Sequence, residues 1–169
     1  VPAAYVAATI AVFEPLLSQQ LDCEVELAVV IGKHGRHIAV ERALDHVFGY
    51  TVFNDFSARD LQFQTPQWLP GKVFDGSAPC GPALVTADEV PAGPGSLGIA
   101  LDLNGERMQE ATTDDLIFGI AHLLAHLSTL MTLVPGDIVS TGTPAGVGGA
   151  RDPRVWLKPG DELVVSSPE

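Results

Sequence analysis

At 169 residues, 46% of them hydrophobic and 18% charged, the chain has the composition of one globular domain with a real core. Its formal net charge of -12 argues against nucleic acid or an anionic membrane as a partner, because both need a basic face. No apolar run reaches the roughly eighteen residues that a membrane span needs, and residues 1–17 lack the basic flank of a signal peptide. Two cysteines, Cys23 and Cys80, are too few for a secreted disulfide scaffold, so we expect free thiols in a cytoplasmic protein.

The first clear pattern is an alternation of apolar residues over residues 24–31, which predicts a strand that ends at Gly32. Helical spacing follows over residues 40–48, with Gly49 placed to end the helix, and residues 50–54 then resemble a short strand. Residues 61–82 are rich in Gly, Pro and aromatic residues and predict a long, ordered loop.

The second half of the chain is dominated by turn signals. Asn104-Gly105 predicts a hairpin between strands at residues 99–103 and 107–110. A capping-box pattern at residues 112–115 predicts the start of a helix that turns these residues inward: Leu116, Ile117, Ile120, Leu123, Leu124 and Leu127. Pro-Gly-Asp turns lead into strands at residues 138–141 and 163–165. Several short strands without a βαβ rhythm predict a β-rich α+β domain and disfavour a doubly wound sheet.

Two glutamates interrupt the first predicted strand. Glu24 and Glu26 are two residues apart, so both side chains project from one face of the strand. Two like charges near a core repel each other and are costly to desolvate, whereas a divalent cation with oxygen ligands removes both objections. The alternative is an edge strand with one face in water.

Asp55 follows the short strand and is a candidate third oxygen ligand, although a carboxylate in that position is also typical of a turn or cap, as for Asp60. The histidines favour no zinc site. His34, His37 and His46 are poorly spaced, and His122 with His126 predicts the polar edge of a helix. All-oxygen ligation favours Mg²⁺, Mn²⁺ or Ca²⁺ over zinc.

Four segments together resemble the fumarylacetoacetate hydrolase family, in order and without large gaps from about Cys23 onward. Residues 24–33 (EVELAVVIGK) resemble its strand of paired glutamates, and residues 54–62 (NDFSARDLQ) resemble its aspartate segment. Its lysine loop is resembled by the segment that contains Trp68, Gly71, Lys72 and Asp75. Residues 141–148 (TGTPAGVG) resemble its C-terminal loop. Asn104-Gly105, Gln109 and Thr112 also fall in the expected order.

The resemblance implies a β-roll with a few helices packed outside, usually a homodimer, with Mg²⁺, Mn²⁺ or Ca²⁺ held by Glu24, Glu26 and Asp55. It further implies the following roles around a small 2-oxo acid: Lys72 beside the metal and the substrate carboxylate, Arg59 and Gln62 as polar pocket residues, and Thr143 on the substrate-facing loop. Lys72 and Arg59 are the catalytic candidates. Without the flanking motif, Lys72 would be interpreted as a solvated loop lysine, and Arg59 is compatible with a purely structural role.

Hydrolases of this family typically carry a histidine and a glutamate on an N-terminal lid that activates water. This sequence has no histidine before His34, and Glu14 alone does not restore the pair. We therefore expect one catalytic domain over residues 1–169, with residues 1–22 poorly matched and the lid missing from them. The general base is left unassigned.

The resemblance favours metal-dependent C–C cleavage of an acylpyruvate-type substrate through a metal-stabilised enolate. Decarboxylation of an oxaloacetate-type 2-oxo diacid, or isomerisation of a 2-hydroxy-diene-dioate from aromatic catabolism, is the alternative on the same site. A non-catalytic, metal-stabilised binding protein is the hypothesis from a different class, since the lid pair is missing.

Overall fold

The computed structural model describes residues 4–9, 18–90 and 93–167 of the chain, so Glu14 and half of residues 1–22 lie outside the described residues. Ten strands occur in these ranges: β1 (Ala4–Thr9), β2 (Leu21–Asp22), β3 (Val25–Ile31), β4 (Val47–Asn54), β5 (Ser57–Ala58), β6 (Val85–Thr86), β7 (Gly98–Leu103), β8 (Glu106–Thr112), β9 (Ile138–Ser140) and β10 (Glu162–Ser167). Two α-helices occur there as well: α1 (Arg59–Gln62) and α2 (Ile120–Leu130). Short 3₁₀ segments complete the described structure: Val40–His46, Leu69–Gly71, Ala87–Glu89, Thr113–Asp115 and Gly148–Ala150.

The strands form two four-stranded antiparallel sheets and a small ribbon. One sheet has the order β1-β10-β7-β8, the other has the order β6-β4-β3-β9, and β2 pairs with β5. The sheets meet where β3 contacts β7 and β4 contacts β10, while α2 lies against the 3₁₀ segment Val40–His46. The chain is a β-rich α+β domain, as the sequence predicted.

The core lies between the sheets and is built from the apolar positions of their inner strands. Val25, Leu27 and Val29 of β3 are at most 2% exposed, as are Leu101 of β7 and Leu163 of β10. Because β3 has a partner strand on each side, even its intervening Ala28 is fully buried. Among the described residues, neither α-helix has the length and apolar character needed to cross a bilayer.

The hairpin predicted at Asn104-Gly105 is confirmed. Both residues have positive φ, 52° and 82°, and they join Leu103 of β7 to Glu106 of β8 in a two-residue turn. A turn of this kind needs positive φ at both central residues, which Asn and Gly adopt at low cost.

The helix predicted over residues 40–48 is wrong over its last two residues. A 3₁₀ segment ends at His46, and the chain continues directly into β4. Gly49 does not end a helix: it sits inside β4, where an added Cβ would lie 2.3 Å from the carbonyl oxygen of Val85 on β6. Strand pairing on both sides of β4 overrides the helical spacing of its first residues.

The helix predicted to start at the capping box is also displaced. The box at Thr112 is present, but it closes only the 3₁₀ turn Thr113–Asp115. Thr113 forms hydrogen bonds with Pro94 and Leu97, and the chain then bends at residues 117–118 before α2 begins after Gly119. Ile117, expected to point inward, is consequently 92% exposed.

Candidate functional site

The two glutamates are held by the first residues of β3. Glu24 directly precedes the strand and Glu26 is its second residue, so the two-residue spacing directs both side chains to one side. Since β3 is flanked by β4 and β9, it is an inner strand of the sheet, and the edge-strand alternative is wrong. Glu24 is 9% exposed and Glu26 is 4% exposed, so both carboxyl groups are buried.

Asp55 joins them from the residue that follows β4. Its backbone N–H donates to the carbonyl oxygen of Glu24 at 2.9 Å, which aligns the two chain segments side by side. One carboxylate oxygen from each of Glu24, Glu26 and Asp55 lies within 4.8 Å of the others. Asp60, by contrast, accepts hydrogen bonds from Ser18, Gln19 and its neighbour Leu61, so it joins residues 18–19 to the start of α1.

Lys72 reaches this cluster from the long loop. Its Nζ lies 2.6 Å from Asp55 Oδ2 and 2.9 Å from Glu24 Oε2. The loop approaches so closely because Gly71 packs on α1, where an added Cβ would lie 2.6 Å from the Cβ of Gln62. The ammonium therefore stands beside the three carboxylates although 48 residues separate Lys72 from Glu24.

Arg59, at the start of α1, is the centre of a second buried network. It donates from Nη2 to Glu24 Oε1 at 2.6 Å and from Nη1 to Gln62 Oε1 at 2.9 Å. Its Nε donates to Asp22 Oδ2 at 2.9 Å. Arg59 thus fixes one oxygen of Glu24 while Lys72 binds the other, and it orients the Gln62 amide.

Asp22 was not predicted as a site residue. It lies two residues before Glu24, as Glu24 lies two residues before Glu26, and this repeated spacing could have revealed it. It is 1% exposed and accepts hydrogen bonds from the backbone N–H groups of Gly148 and Gly149 at 2.7 and 2.9 Å. Gly148 has room for no side chain, since a Cβ would lie 2.1 Å from a backbone oxygen. Asp22 therefore joins the Arg59 network to the C-terminal loop.

Glu26 is held by a different loop, the one that follows β9. Its Oε2 accepts the backbone N–H of Gly142 at 2.8 Å and also the hydroxyl of Ser140. Thr143, in the same loop, donates its hydroxyl to the carbonyl oxygen of Val25 at 2.9 Å. The Thr143 side chain is thus engaged with the backbone between the two glutamates.

The site carries more negative than positive charge. Glu24 and Asp22 contact Arg59, and Glu24 and Asp55 contact Lys72, whereas Glu26 has only neutral donors. Burial raises the pKa of the Glu26 carboxyl above its usual value, and burial likewise raises the pKa of Asp55 despite its contact with Lys72. Three converging oxygen donors with uncompensated negative charge fit a hard divalent cation.

The histidines lie away from this cluster. His34 and His37 follow the far end of β3, a strand of seven residues that spans about 20 Å, and both are exposed. His122 and His126 are exposed on α2, as expected for the polar edge of that helix. His46 also lies beyond that end of β3, with its Nδ1 3.1 Å from the carbonyl oxygen of Lys33, so no described histidine joins the carboxylate group.

A cavity of about 540 Å³ lies on another side of the loop after β9. Its lining includes Gly142 and Thr143 from this loop and the exposed apolar residues Ile117 and Phe118. None of the three carboxylates lines it.

Comparison with known proteins identifies the family of this chain. The sequence profile of the family described as "Fumarylacetoacetate (FAA) hydrolase C-terminal" matches residues 2–169. The chain is 52% identical over 151 residues to "Oxaloacetate tautomerase FAHD2B, mitochondrial" from Bos taurus, a match that covers 88% of the chain and 48% of the relative. The chain thus spans about half the length of the curated relatives it matches.

Two solved structures share the fold over most of the chain. Fumarylpyruvate hydrolase from Pseudomonas aeruginosa, in complex with Mn²⁺ and pyruvate, has a TM-score of 0.83 and 36% identity, and the match covers 94% of this chain and 70% of that one. 2-Hydroxyhepta-2,4-diene-1,7-dioate isomerase from Mycobacterium marinum has a TM-score of 0.79 and 35% identity, covering 89% and 56%. With the profile match over nearly its whole length, the chain belongs to the fumarylacetoacetate hydrolase family.

Proposed function

We propose that this chain carries the catalytic site of a divalent-metal-dependent enzyme that acts on a small 2-oxo acid. Glu24, Glu26 and Asp55 would hold Mg²⁺ or Mn²⁺, and Ca²⁺ suits the same oxygen donors. The single observation that carries the proposal is the convergence of these three carboxylates within 4.8 Å, with Glu24 and Glu26 buried, Asp55 partly buried, and their charge only partly compensated by Arg59 and Lys72. The Mn²⁺ and pyruvate in the Pseudomonas aeruginosa structure support both the metal and the substrate class.

The chain's own residues would bind and orient the substrate. A bound divalent cation supplies a Lewis acid for the carboxylate and keto oxygens of a 2-oxo acid. Lys72 offers an ammonium group for the substrate carboxylate, and Gln62 and Thr143 contribute polar contacts. Arg59 acts through its neighbours, because its guanidinium is already shared by Asp22, Glu24 and Gln62.

For the reaction we favour interconversion of the keto and enol forms of an oxaloacetate-type 2-oxo diacid. The 52% identity to the bovine oxaloacetate tautomerase supports this choice. Tautomerisation moves a proton from carbon to oxygen and needs no attacking water, which suits a site without an adjacent histidine among the described residues. Decarboxylation of the same diacid, or isomerisation of a diene-dioate, would use the same substrate-binding groups.

Acylpyruvate C–C hydrolysis, the leading hypothesis from the sequence, is the second candidate. The resemblance to fumarylpyruvate hydrolase favours it. Hydrolysis needs an activated water, and a general base is typically worth about 10²–10⁴-fold. We therefore expect this chain to hydrolyse acylpyruvates poorly compared with its action on an oxaloacetate-type diacid.

The test is to assay this chain with added Mn²⁺ or Mg²⁺ on both substrate types. Ultraviolet absorbance follows the loss of enol oxaloacetate. CO₂ release from oxaloacetate reports decarboxylation, and pyruvate release from an acylpyruvate reports hydrolysis. We expect metal-dependent loss of the enol form that a chelator abolishes, with much slower release of pyruvate from an acylpyruvate. Fast acylpyruvate cleavage would make hydrolysis the function, and metal binding without any turnover would favour the non-catalytic binding protein.

Two further expectations are part of the proposal. We expect a homodimer, as is usual in the family. We also retain the cytoplasm as the expected compartment, although the bovine relative is named as mitochondrial. Fractionation of the source cells would decide between the two compartments.

A further inference from the structure

Gln109 of β8 is a buried polar residue outside the carboxylate cluster. It is 2% exposed, and both ends of its amide have partners. Oε1 accepts the backbone N–H of Val25 at 3.0 Å, while Nε2 donates to Thr143 Oγ1 at 2.9 Å and to the carbonyl oxygen of Pro144 at 2.8 Å. These partners fix the orientation of the amide, with its acceptor on β3 and its donor on the loop after β9.

The loop that Gln109 holds is the one that contacts Glu26. Gly142 in this loop donates its N–H to Glu26, and Thr143 donates its hydroxyl to the carbonyl oxygen of Val25. Val25 is therefore bound twice, through its N–H by Gln109 and through its carbonyl by Thr143. The three residues form a closed set of hydrogen bonds that sets the distance between the loop and the glutamate strand.

The loop after β9 also approaches the backbone of β8 closely, a few residues after Thr143. Gly146 has a φ of 109°, and a Cβ added to it would lie 2.3 Å from the carbonyl oxygen of Met108, the residue before Gln109. Arg151 donates to the carbonyl oxygens of both Met108 and Gly146, at 2.7 and 3.0 Å. The loop is thus packed on β8 without space for adjustment at this point.

We infer that Gln109 is a positioning residue that holds the loop after β9, and with it the Gly142 N–H that binds Glu26, beside the site for a 2-oxo acid. The ligand part of this inference rests on the proposed function, whereas the loop part rests on the hydrogen bonds alone. Gln109 itself contacts neither the carboxylate cluster nor the substrate-facing lysine in the described structure; it acts through Thr143 and the loop backbone.

Gln109→Glu tests this with little change of shape. The variant keeps an acceptor for the Val25 N–H but replaces the Nε2 donor by an oxygen that faces two other oxygens. In metal-free protein we expect hydrogen exchange of peptides spanning residues 140–146 to accelerate at least about tenfold. With Mn²⁺ bound, the affinity for oxalate, an analogue of the pyruvate enolate, should fall at least about tenfold from the loss of two hydrogen bonds, and Mn²⁺ affinity should fall less.

Ser128→Ala is the matched control. Ser128 is fully buried in α2 and bonds Ile38 and Ala125, so its loss should lower the melting temperature without changing exchange in residues 140–146 or oxalate affinity. Thr143→Val and Thr143→Ser give a second route if Gln109→Glu does not fold. The valine variant should reproduce the oxalate defect, and the serine variant should restore binding.

The outcomes separate the two claims. Unchanged loop exchange in Gln109→Glu, or unchanged oxalate affinity, would overturn the positioning role. Additive effects of Gln109→Glu and Thr143→Val on oxalate affinity would do so as well, because residues that act as one unit are non-additive. If the wild-type chain binds no oxalate with Mn²⁺ present, the proposed function fails, and the exchange experiment still decides whether Gln109 holds the loop.

Discussion

Lys72→Met replaces the Lys72 ammonium group at the carboxylate cluster by an apolar chain of similar length. Removing one partner of a fully buried ion pair costs about 3–5 kcal/mol, because the other charge stays buried. The side chains of Lys72 and Asp55 are 18% and 24% exposed, so solvent screens part of this and we expect about 2 kcal/mol. In a domain of this size about 1 kcal/mol corresponds to about 2–4 °C, so the melting temperature of metal-free protein should fall by about 4–8 °C.

Metal should reverse this loss of stability. In Lys72→Met, a divalent cation bound by Glu24, Glu26 and Asp55 neutralises the carboxylates that have lost their ammonium partner. The cation is also no longer repelled by a neighbouring positive charge. Saturating Mn²⁺ should therefore raise the melting temperature of Lys72→Met by more than that of the wild type. Turnover with metal bound should nevertheless fall at least about tenfold, or about 1.4 kcal/mol of transition-state stabilisation.

Thermal melts with chelator and with saturating Mn²⁺ measure both effects, and calorimetry gives the metal affinity. Lys158→Met is the control, since Lys158 is exposed and takes no part in the ion pairs of Glu24 and Asp55 in the described structure. An equal or smaller Mn²⁺-induced stabilisation of Lys72→Met than of the wild type would refute the electrostatic reasoning. Unchanged turnover with metal bound would reduce Lys72 to a structural residue.

Glu26→Gln keeps the shape of a ligand and removes its charge, so Mn²⁺ affinity measured by calorimetry should fall at least about tenfold, while exposed Glu41→Gln should leave it unchanged. Native protein treated with iodoacetamide should be modified at exposed Cys80 and not at Cys23, which is 1% exposed and whose pKa burial raises to about 12. Labelling of Cys80 should accelerate with pH, because the thiolate is the reactive form; mass spectrometry that finds Cys23 modified first would contradict the described burial. Light scattering should give about twice the chain mass of 17.8 kDa, and a monomeric wild type would disprove the dimer. If a second copy covers Ile117, which is 92% exposed, Ile117→Ser should weaken the dimer.

The parts of the fold that the sequence predicted correctly depend on local chemistry. Asn104-Gly105 determines its turn through backbone conformations that few other residue pairs adopt, and the alternation over residues 24–31 is preserved in β3. The errors arise where partners distant in sequence decide the conformation. Near Val47 the helical spacing is overridden by strand pairing with β3 and β6. The capping box at Thr112 closes no more than one turn, because Thr113 is hydrogen-bonded to the preceding loop.

In the candidate site, too, the residues predicted from their spacing are near neighbours, and the missed ones depend on distant partners. Glu24 and Glu26 are near neighbours, and their unfavourable placement in an apolar strand is visible in the sequence. Asp22 and Gln109 could not be given roles, because their partners lie up to 127 and 84 residues away. A buried carboxylate that accepts backbone N–H groups leaves no mark in the sequence beyond its spacing.

The position of β3 between β4 and β9 restricts how this site can be altered by evolution or by design. Side chains alternate between the faces of a strand, so a slip of one residue would turn Glu24 and Glu26 toward the core and Val25 toward the metal ligands. Insertions or deletions within Val25–Ile31 would therefore lose the core and the carboxylate cluster together. Substitution at positions 24, 26 and 55 leaves this strand pairing intact, so a change in metal preference can arise by exchange of these side chains.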